Sequence, residues 1–168
     1  LSENANANVD QVLNGIGLDK RIGTAFLKPG PGWGGSCFPK DTNALVAIAK
    51  EFGTPLPLVL SAIESNDAAI ARSVKAITQL AGGELVNKKI AVWGIAFKAN
   101  TDDIRDSPSL KIVDSLLSKG AEVQAYDPVA LAPERSGFVM KGSALDAASG
   151  ADVLAVLTEW PEFAEVSP

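Results

Sequence analysis

Apolar runs and helical patterns alternate between residues 89 and 159, and this alternation constrains the fold more than any other feature of the chain. "KIAVWGIAF" (89–97) reads as a buried strand. Ser107 is a natural N-cap and Pro108 suits the first helical position, so a helix is predicted to Lys119 with Gly120 as its stop. "AEVQAYDP" (121–128) reads as a second strand, 143–149 as a short helix, and "ADVLAVLTE" (151–159) as a third strand. Strand, helix, strand, helix, strand is the order of a parallel α/β sheet, because parallel neighbours need a crossover between them.

The first half carries a different period. Val9, Val12, Leu13 and Ile16 recur at helical spacing and predict a short helix over 1–16, followed by loop from 18 to 39. A helix is predicted from Pro39 or Lys40 to Phe52, with Gly53 as its stop. Pro55 and Pro57 open a second one, over 57–81. At 1.5 Å per residue it spans roughly 37 Å. Val59, Ile63, Ile70, Val74 and Ile77 line one face, and Asn66 fills the gap as a polar group to be satisfied at a helix–helix contact. A stripe this long outruns one small layer, so the helix is expected to bridge two domains or to pack on a partner chain. The predicted organisation is a helical domain over 1–85 and an α/β domain over 86–168.

Composition narrows the function. The 168 residues are 46% hydrophobic and 21% charged, with a formal net charge of −5, which suits a packed core and points away from nucleic acid and anionic membranes. No apolar run approaches the roughly 20 residues of a membrane-spanning helix. Histidine is absent, which excludes Ser-His-Asp and Cys-His catalysis within this chain and any histidine metal site; no metal is expected. The single cysteine forms no internal disulfide and fits a reducing, cytoplasmic location. The chain starts without Met, in what reads as mid-helix, and stops just past a strand, so a fragment of a longer protein is expected.

That cysteine lies in "GPGWGGSCFPKD" (30–41). Gly30, Gly32, Gly34 and Gly35 would let main-chain N–H groups face a ligand without Cβ atoms in the way. Cys37 falls just before a predicted helix start, where the positive helix end favours the thiolate. Lys40 adds charge in the first turn, and Asp41 can orient a water or accept a proton. The plain alternative is a small buried thiol beside a Gly/Pro turn.

"FLKPGPGWGGSCFPKDTNAL", together with "GLDKRIG" (17–23) before it and "GIAFKANTDDIRDSPSLKIVDSLLSKGAEVQAYDP" (94–128) after it, closely resembles the UDP-glucose/GDP-mannose dehydrogenase family, collinearly over most of the chain. The resemblance implies a helical dimerisation segment joined by a long helix to a Rossmann-like, nucleotide-sugar-binding α/β domain. It implies an NAD-dependent, two-step oxidation of a nucleotide sugar's C6 alcohol to a carboxylate, with UDP-glucose as the leading substrate and GDP-mannose as the alternative. It gives Cys37 the nucleophile's role, through a thiohemiacetal and a thioester, and Asp41 that of assisting water. Phe26, Leu27, Lys28, Pro29, Gly30 and Gly34 match the segment that wraps the substrate. Phe97 and Lys98 match substrate contacts from the second domain. Arg21 matches an arginine that reaches the substrate from the partner of a homodimer. Lys40 and Arg105 match NAD contacts. The family's NAD domain, with its glycine fingerprint, is expected upstream of Leu1, since no G-x-G-x-x-G occurs in residues 1–168; the fragment is expected to be inactive alone.

Each assignment has a plainer counterpart. Lys98 to Asp106 can be a solvated charged turn, Arg21 a surface cation, Phe26 and Leu27 core. Asp127 ends the second strand, where an acidic residue can bind ribose, but no glycine fingerprint surrounds Gly94, so NAD binding is not expected in this half. Two other classes compete: a nucleotide-sugar-binding and dimerisation module with an inert thiol, and a redox-sensing thiol protein, the latter weakened by the lack of a second cysteine.

Overall fold

The computed structural model describes residues 2–166. The helical half comprises α1 (Ser2–Ala5), α2 (Val9–Gly17), α3 (Phe38–Glu51) and α4 (Pro57–Leu80). The single helix expected over 1–16 is split. Asn6 takes a left-handed φ of 51°, and Asn8 caps a new start, its Oδ1 accepting from Gln11 N–H at 3.1 Å. Leu1 lies outside the described residues. The α3 helix begins at Phe38, one residue ahead of the expected start, with Cys37 as its N-cap and Pro39 in the first turn. It stops where Gly53 turns to φ 64°. As expected, α4 is long and continuous, and its apolar stripe is graded. Val59 and Ile63 are half-buried, whereas Val74 and Ile77 are each 5% exposed and belong to the α/β core.

The second half is a four-stranded, all-parallel sheet in the order β3-β2-β1-β4, built from β1 (Lys89–Trp93), β2 (Glu122–Tyr126), β3 (Phe138–Met140) and β4 (Val153–Val156). The register pairs Lys89 with Glu122 and Ile90 with Val153. The crossover helices are α5 (Pro108–Ser118), after β1, and α6 (Ala144–Ala148), after β3; a 3₁₀ turn covers Pro161–Ala164. Side-chain alternation along β1 sorts the two faces. Ile90 and Val92 enter the larger core with Ile112, Val113 and Leu116 of α5 and Val74 and Ile77 of α4. Trp93 points the other way, among Ala144, Ala147, Trp160 and Phe163, and donates its indole N–H to Ala144 O at 2.8 Å. Fully burying each of the large aliphatic chains contributes about 1.5–3 kcal/mol.

Two corrections to the sequence reading share one cause, hydrogen bonding at strand ends, and a third has its own. The first strand ends at Trp93 instead of Phe97. Gly94 turns at φ 87°, and the next two N–H groups, of Ile95 and Ala96, bond to Asp127 Oδ2 at 2.8 and 3.1 Å rather than to a neighbouring strand. The strands expected over 121–128 and 151–159 contract to 122–126 and 153–156 for similar reasons; Leu157 N–H still reaches Trp93 O, but Thr158 Oγ1 turns to Ala96 O. The third correction is β3, which was not expected. At three residues, after Gly137 at φ 77°, it is too short to carry a period.

Asp127 is the organiser of this end of the sheet. The residue is 5% exposed, and its carboxylate accepts five N–H groups, from Ile95, Ala96, Val129, Ala130 and the indole of Trp160. Its part in the fold is therefore structural. Replacing Asp127 by Ala strands these donors, each costing about 1–3 kcal/mol if left unpaired, so urea denaturation is expected to show a loss of at least about 3 kcal/mol. A loss under about 1 kcal/mol would show that water takes over the carboxylate's role.

Candidate functional site

The sheet's chain order sets the site's position. From β1 the chain steps outward to β2 and β3, then returns to the opposite side of β1 as β4, which makes the carboxyl ends of β1 and β4 the switch point where ligands of open parallel sheets bind. The residues that follow these two strands, Phe97 and Lys98 after β1 and Leu157 and Glu159 after β4, form one wall of a cleft of about 670 Å³. The other wall is the loop from Thr24 to Phe38, which includes Phe26, Lys28, Pro29, Gly30, Gly34 and Cys37. The volume falls within the usual range for small-molecule sites.

The loop is held by backbone contacts. Trp33 N–H donates to Asn66 Oδ1 at 2.7 Å, and Asn66 Nδ2 donates to Trp33 O at 3.1 Å. Gly35 N–H donates to Arg105 O at 3.0 Å. A Cβ on Gly34 would lie 2.3 Å from Asp106 O and 2.7 Å from Pro108 Cδ, and one on Gly35, at φ 86°, would lie 3.0 Å from the Phe97 ring. Gly34 thus lets the loop seat on the start of α5 and Gly35 lets it pass the Phe97 ring, so their bareness serves close packing within the chain, while Gly30 has open space around it. Asn66 is buried and satisfied as expected, but by this loop and not by a neighbouring helix.

Cys37 closes the loop and caps α3; its carbonyl accepts the first helical bond, from Asp41 N–H at 2.8 Å. The thiol is exposed at the cleft, 3.6 Å from Ser36 Oγ, which excludes the buried-thiol alternative. Phe38 stacks edge-on against Trp33, ring centres 6.1 Å apart. One turn on, the Lys40 ammonium pairs with Asp41, and that bond raises the Lys40 pKa above its ordinary value. The positive charge expected from Lys40 is therefore matched within its own turn.

The remaining sites divide between the cleft and its surroundings. Lys98 Nζ lies 5.4 Å above the Phe97 ring, within cation–π reach. Phe26 is fully exposed at φ 63°, and Leu27 is half-buried behind the lining, so neither belongs to the core. Arg21 is bound to Asp19 at 2.6 Å outside the cleft. Lys40, Asp41 and Arg105 also lie off its lining. Arg105 is paired with Asp103 at 2.7 Å while its carbonyl holds Gly35. Sequence reasoning missed Trp33 and Glu159 as lining residues. A polar group directly after a parallel strand was the available signal for Glu159. Among the described residues no cluster of His, Cys, Asp or Glu suits a metal ion, and no helix is long and apolar enough to cross a membrane.

The side-chain hydrogen bond from Arg105, then its backbone N–H, lowers the Asp103 carboxyl to about 2. A lowered carboxylate pKa stabilises the fold above the unfolded value of 3.8, and that contribution is lost as pH falls through about 2. Carbon-detected NMR titration is expected to place the Asp103 midpoint near 2, moving up toward 3.8 in Arg105→Ala. Identical midpoints in the two proteins would show that the guanidinium does not hold this turn.

Two domain models match this sequence, both described under the UDP-glucose/GDP-mannose dehydrogenase family: its central domain over residues 1–68 and its UDP binding domain over 91–168. The chain belongs to the UDP-glucose/GDP-mannose dehydrogenase family. It is 46% identical over 166 residues to UDP-glucose 6-dehydrogenase of Rhizobium meliloti (strain 1021), covering 97% of this chain and 38% of that protein. It is 42% identical to UDP-glucose 6-dehydrogenase TuaD of Bacillus subtilis (strain 168), covering 99% and 37%. Among solved structures, a UDP-glucose dehydrogenase from Pyrobaculum islandicum superposes with a TM-score of 0.89 at 29% identity, covering 96% of this chain and 38% of that one. The chain thus spans less than two fifths of the length of these relatives.

Proposed function

We propose that residues 1–168 form the central and C-terminal part of an enzyme that oxidises the C6 alcohol of UDP-glucose to the carboxylate of UDP-glucuronate. One observation carries this reading: the only thiol of the chain opens, at a helix N-terminus, onto a cleft at the switch point of a parallel sheet. The names of the relatives support the choice of sugar. In this reading 1–85 is the domain that carries the thiol, and 86–168 the domain that binds the nucleotide.

The chemistry asked of this chain is covalent capture. The Cys37 thiolate adds to the C6 aldehyde carbon, and the aldehyde oxygen takes up a proton, giving a thiohemiacetal. Loss of that proton and of the C6 hydride leaves a thioester. Water adds to its carbonyl, the C–S bond breaks, and the acid and the thiolate are regenerated. Capture keeps the aldehyde from leaving between the two oxidations. The paired Lys40 and Asp41 lie one turn from the thiol, off the cleft lining, and Asp41 is the carboxylate assigned here to assist the water. Lys28 and Lys98 face the cleft from opposite walls and supply positive charge for a diphosphate.

NAD, when bound, accepts the hydride of each oxidation. The residues present fit it only as contacts. Lys40 and Arg105 are exposed cations suited to its phosphates. No G-x-G-x-x-G stands at the turn after β1, so the dinucleotide itself is assigned to another part of the polypeptide.

In a full-length polypeptide carrying these residues, Cys37→Ala is expected to lower acid formation on the order of 10³-fold or more, while residues 1–168 alone form no NADH from NAD and UDP-glucose. Undiminished acid formation by the Ala variant would overturn the reading in favour of a nucleotide-sugar-binding module. GDP-mannose is the alternative substrate; preferred turnover of that sugar would reassign it.

A homodimer is proposed through the helical half. Val12 and Ile16 of α2, Leu45 and Ile48 of α3 and Leu58 and Leu60 of α4 are each at least 42% exposed, an apolar surface that a second copy would cover. Light scattering is expected to give twice the monomer mass at micromolar concentration. A strictly monomeric full-length protein would exclude it.

A further inference from the structure

We infer that Asn66 is a positioning residue for the Cys37 thiol: its carboxamide, bonded to both the N–H and the C=O of Trp33, fixes the loop whose helical cap carries the sulfur. The inference rests on the catalytic reading of Cys37 above. It starts from an asymmetry in how the loop is held. The Cys37 side chain has only a weak contact, 3.6 Å from Ser36 Oγ, so the position of Sγ is set by its backbone. That backbone is fixed in steps. Asn66 grips Trp33 at 2.7 and 3.1 Å, Gly34 seats against Asp106 O and Pro108, and Gly35 N–H bonds to Arg105 O. The chain then enters α3 at Cys37.

Of these holds, only that of Asn66 is a side-chain hydrogen bond. Asn and Gln alone carry an acceptor and a two-proton donor on one planar group, as is needed to bond the N–H and the C=O of a single residue together. Asn66 is 7% exposed, and a Cβ on Gly32 would lie 2.8 Å from its Oδ1, so the loop is shaped around the amide. The helix that presents it is anchored. Two and three turns further on, Val74 and Ile77 of α4 are locked into the core beneath the sheet. The amide therefore ties the thiol loop to the same core that shapes the opposite wall of the cleft.

The consequence for chemistry is selective. Capture needs Sγ near 3 Å from the aldehyde carbon, and a misplacement of about 1 Å can cost on the order of 100-fold. Binding of the nucleotide sugar draws on many residues of both walls, of which Trp33 is one.

The test uses the full-length polypeptide and compares two reactions: the first hydride transfer from the C6 alcohol, and oxidation of the supplied nucleotide-sugar 6-aldehyde to the acid. Asn66→Ala is expected to slow the second on the order of 100-fold, with KM for the nucleotide sugar and the first transfer within about threefold of the parent. Asn66→Asp keeps an acceptor for Trp33 N–H but, ionised, offers no donor to Trp33 O, and is expected to fall between the two. It also carries the same comparison if Asn66→Ala does not fold. Both reactions falling in parallel, or an unchanged ratio between them, would overturn the inference. Cys37→Ala run alongside separates the two failures: acid formed without the thiol sinks the catalytic reading, whereas a dead Cys37→Ala beside parent-like Asn66 variants sinks this one alone.

Discussion

A carboxylate ringed by N–H donors holds the functional end of this molecule together. Asp127 takes five N–H groups, and in doing so it ends β1 and fixes the turn that follows. A buried carboxylate is tolerable only when donors replace its water. Here the donors are the main-chain groups that a longer strand would have used. Ser107 Oγ and Thr158 Oγ1 add bonds to the carbonyls of Ile95 and Ala96, so the whole turn from Gly94 to Ala96 is pinned by side chains reaching in from three other segments. Phe97 and Lys98 project into the cleft because the residues before them cannot move.

The second constraint is how closely two backbones approach. Gly34 presses against the start of α5 and Gly35 against the Phe97 ring, at distances that leave no room for a Cβ. Bringing the thiol loop to the sheet this way closes the cleft and joins two stretches that are about 70 residues apart in the chain. The same contact sets the position of the loop wall opposite Phe97 and Lys98.

Much of this was legible from periodicity. The long helix, the helix start at Ser107 and Pro108, the alternation of strand and helix, and the helix beginning beside Cys37 all follow from local spacing, although the Ser107 hydroxyl bonds to Ile95 O and not to the helix it precedes. The ends of the strands were not, because they depend on Asp127, more than 30 residues from the N–H groups it accepts. Nor was β3, whose three residues form a strand only by pairing with β2. Most of the expected cleft residues line the cleft together, while Arg21, Leu27, Lys40, Asp41 and Arg105 stand outside it. Trp33 had no local mark to single it out, whereas Glu159 had one in its place just past β4.

By itself the sequence determined the periods, the caps, the absence of histidine and the placement of one thiol at a helix start. These are short-range properties, set by neighbours within a few residues. Only the tertiary structure decided what the glycines approach, which backbone groups Asn66 and Asp127 satisfy, and that the thiol faces Lys98 and Glu159 across a cleft. Those outcomes depend on which distant segments meet once the parallel sheet forms and α4 docks into its core, and no local pattern encodes a contact whose two partners are set by the packing of the whole.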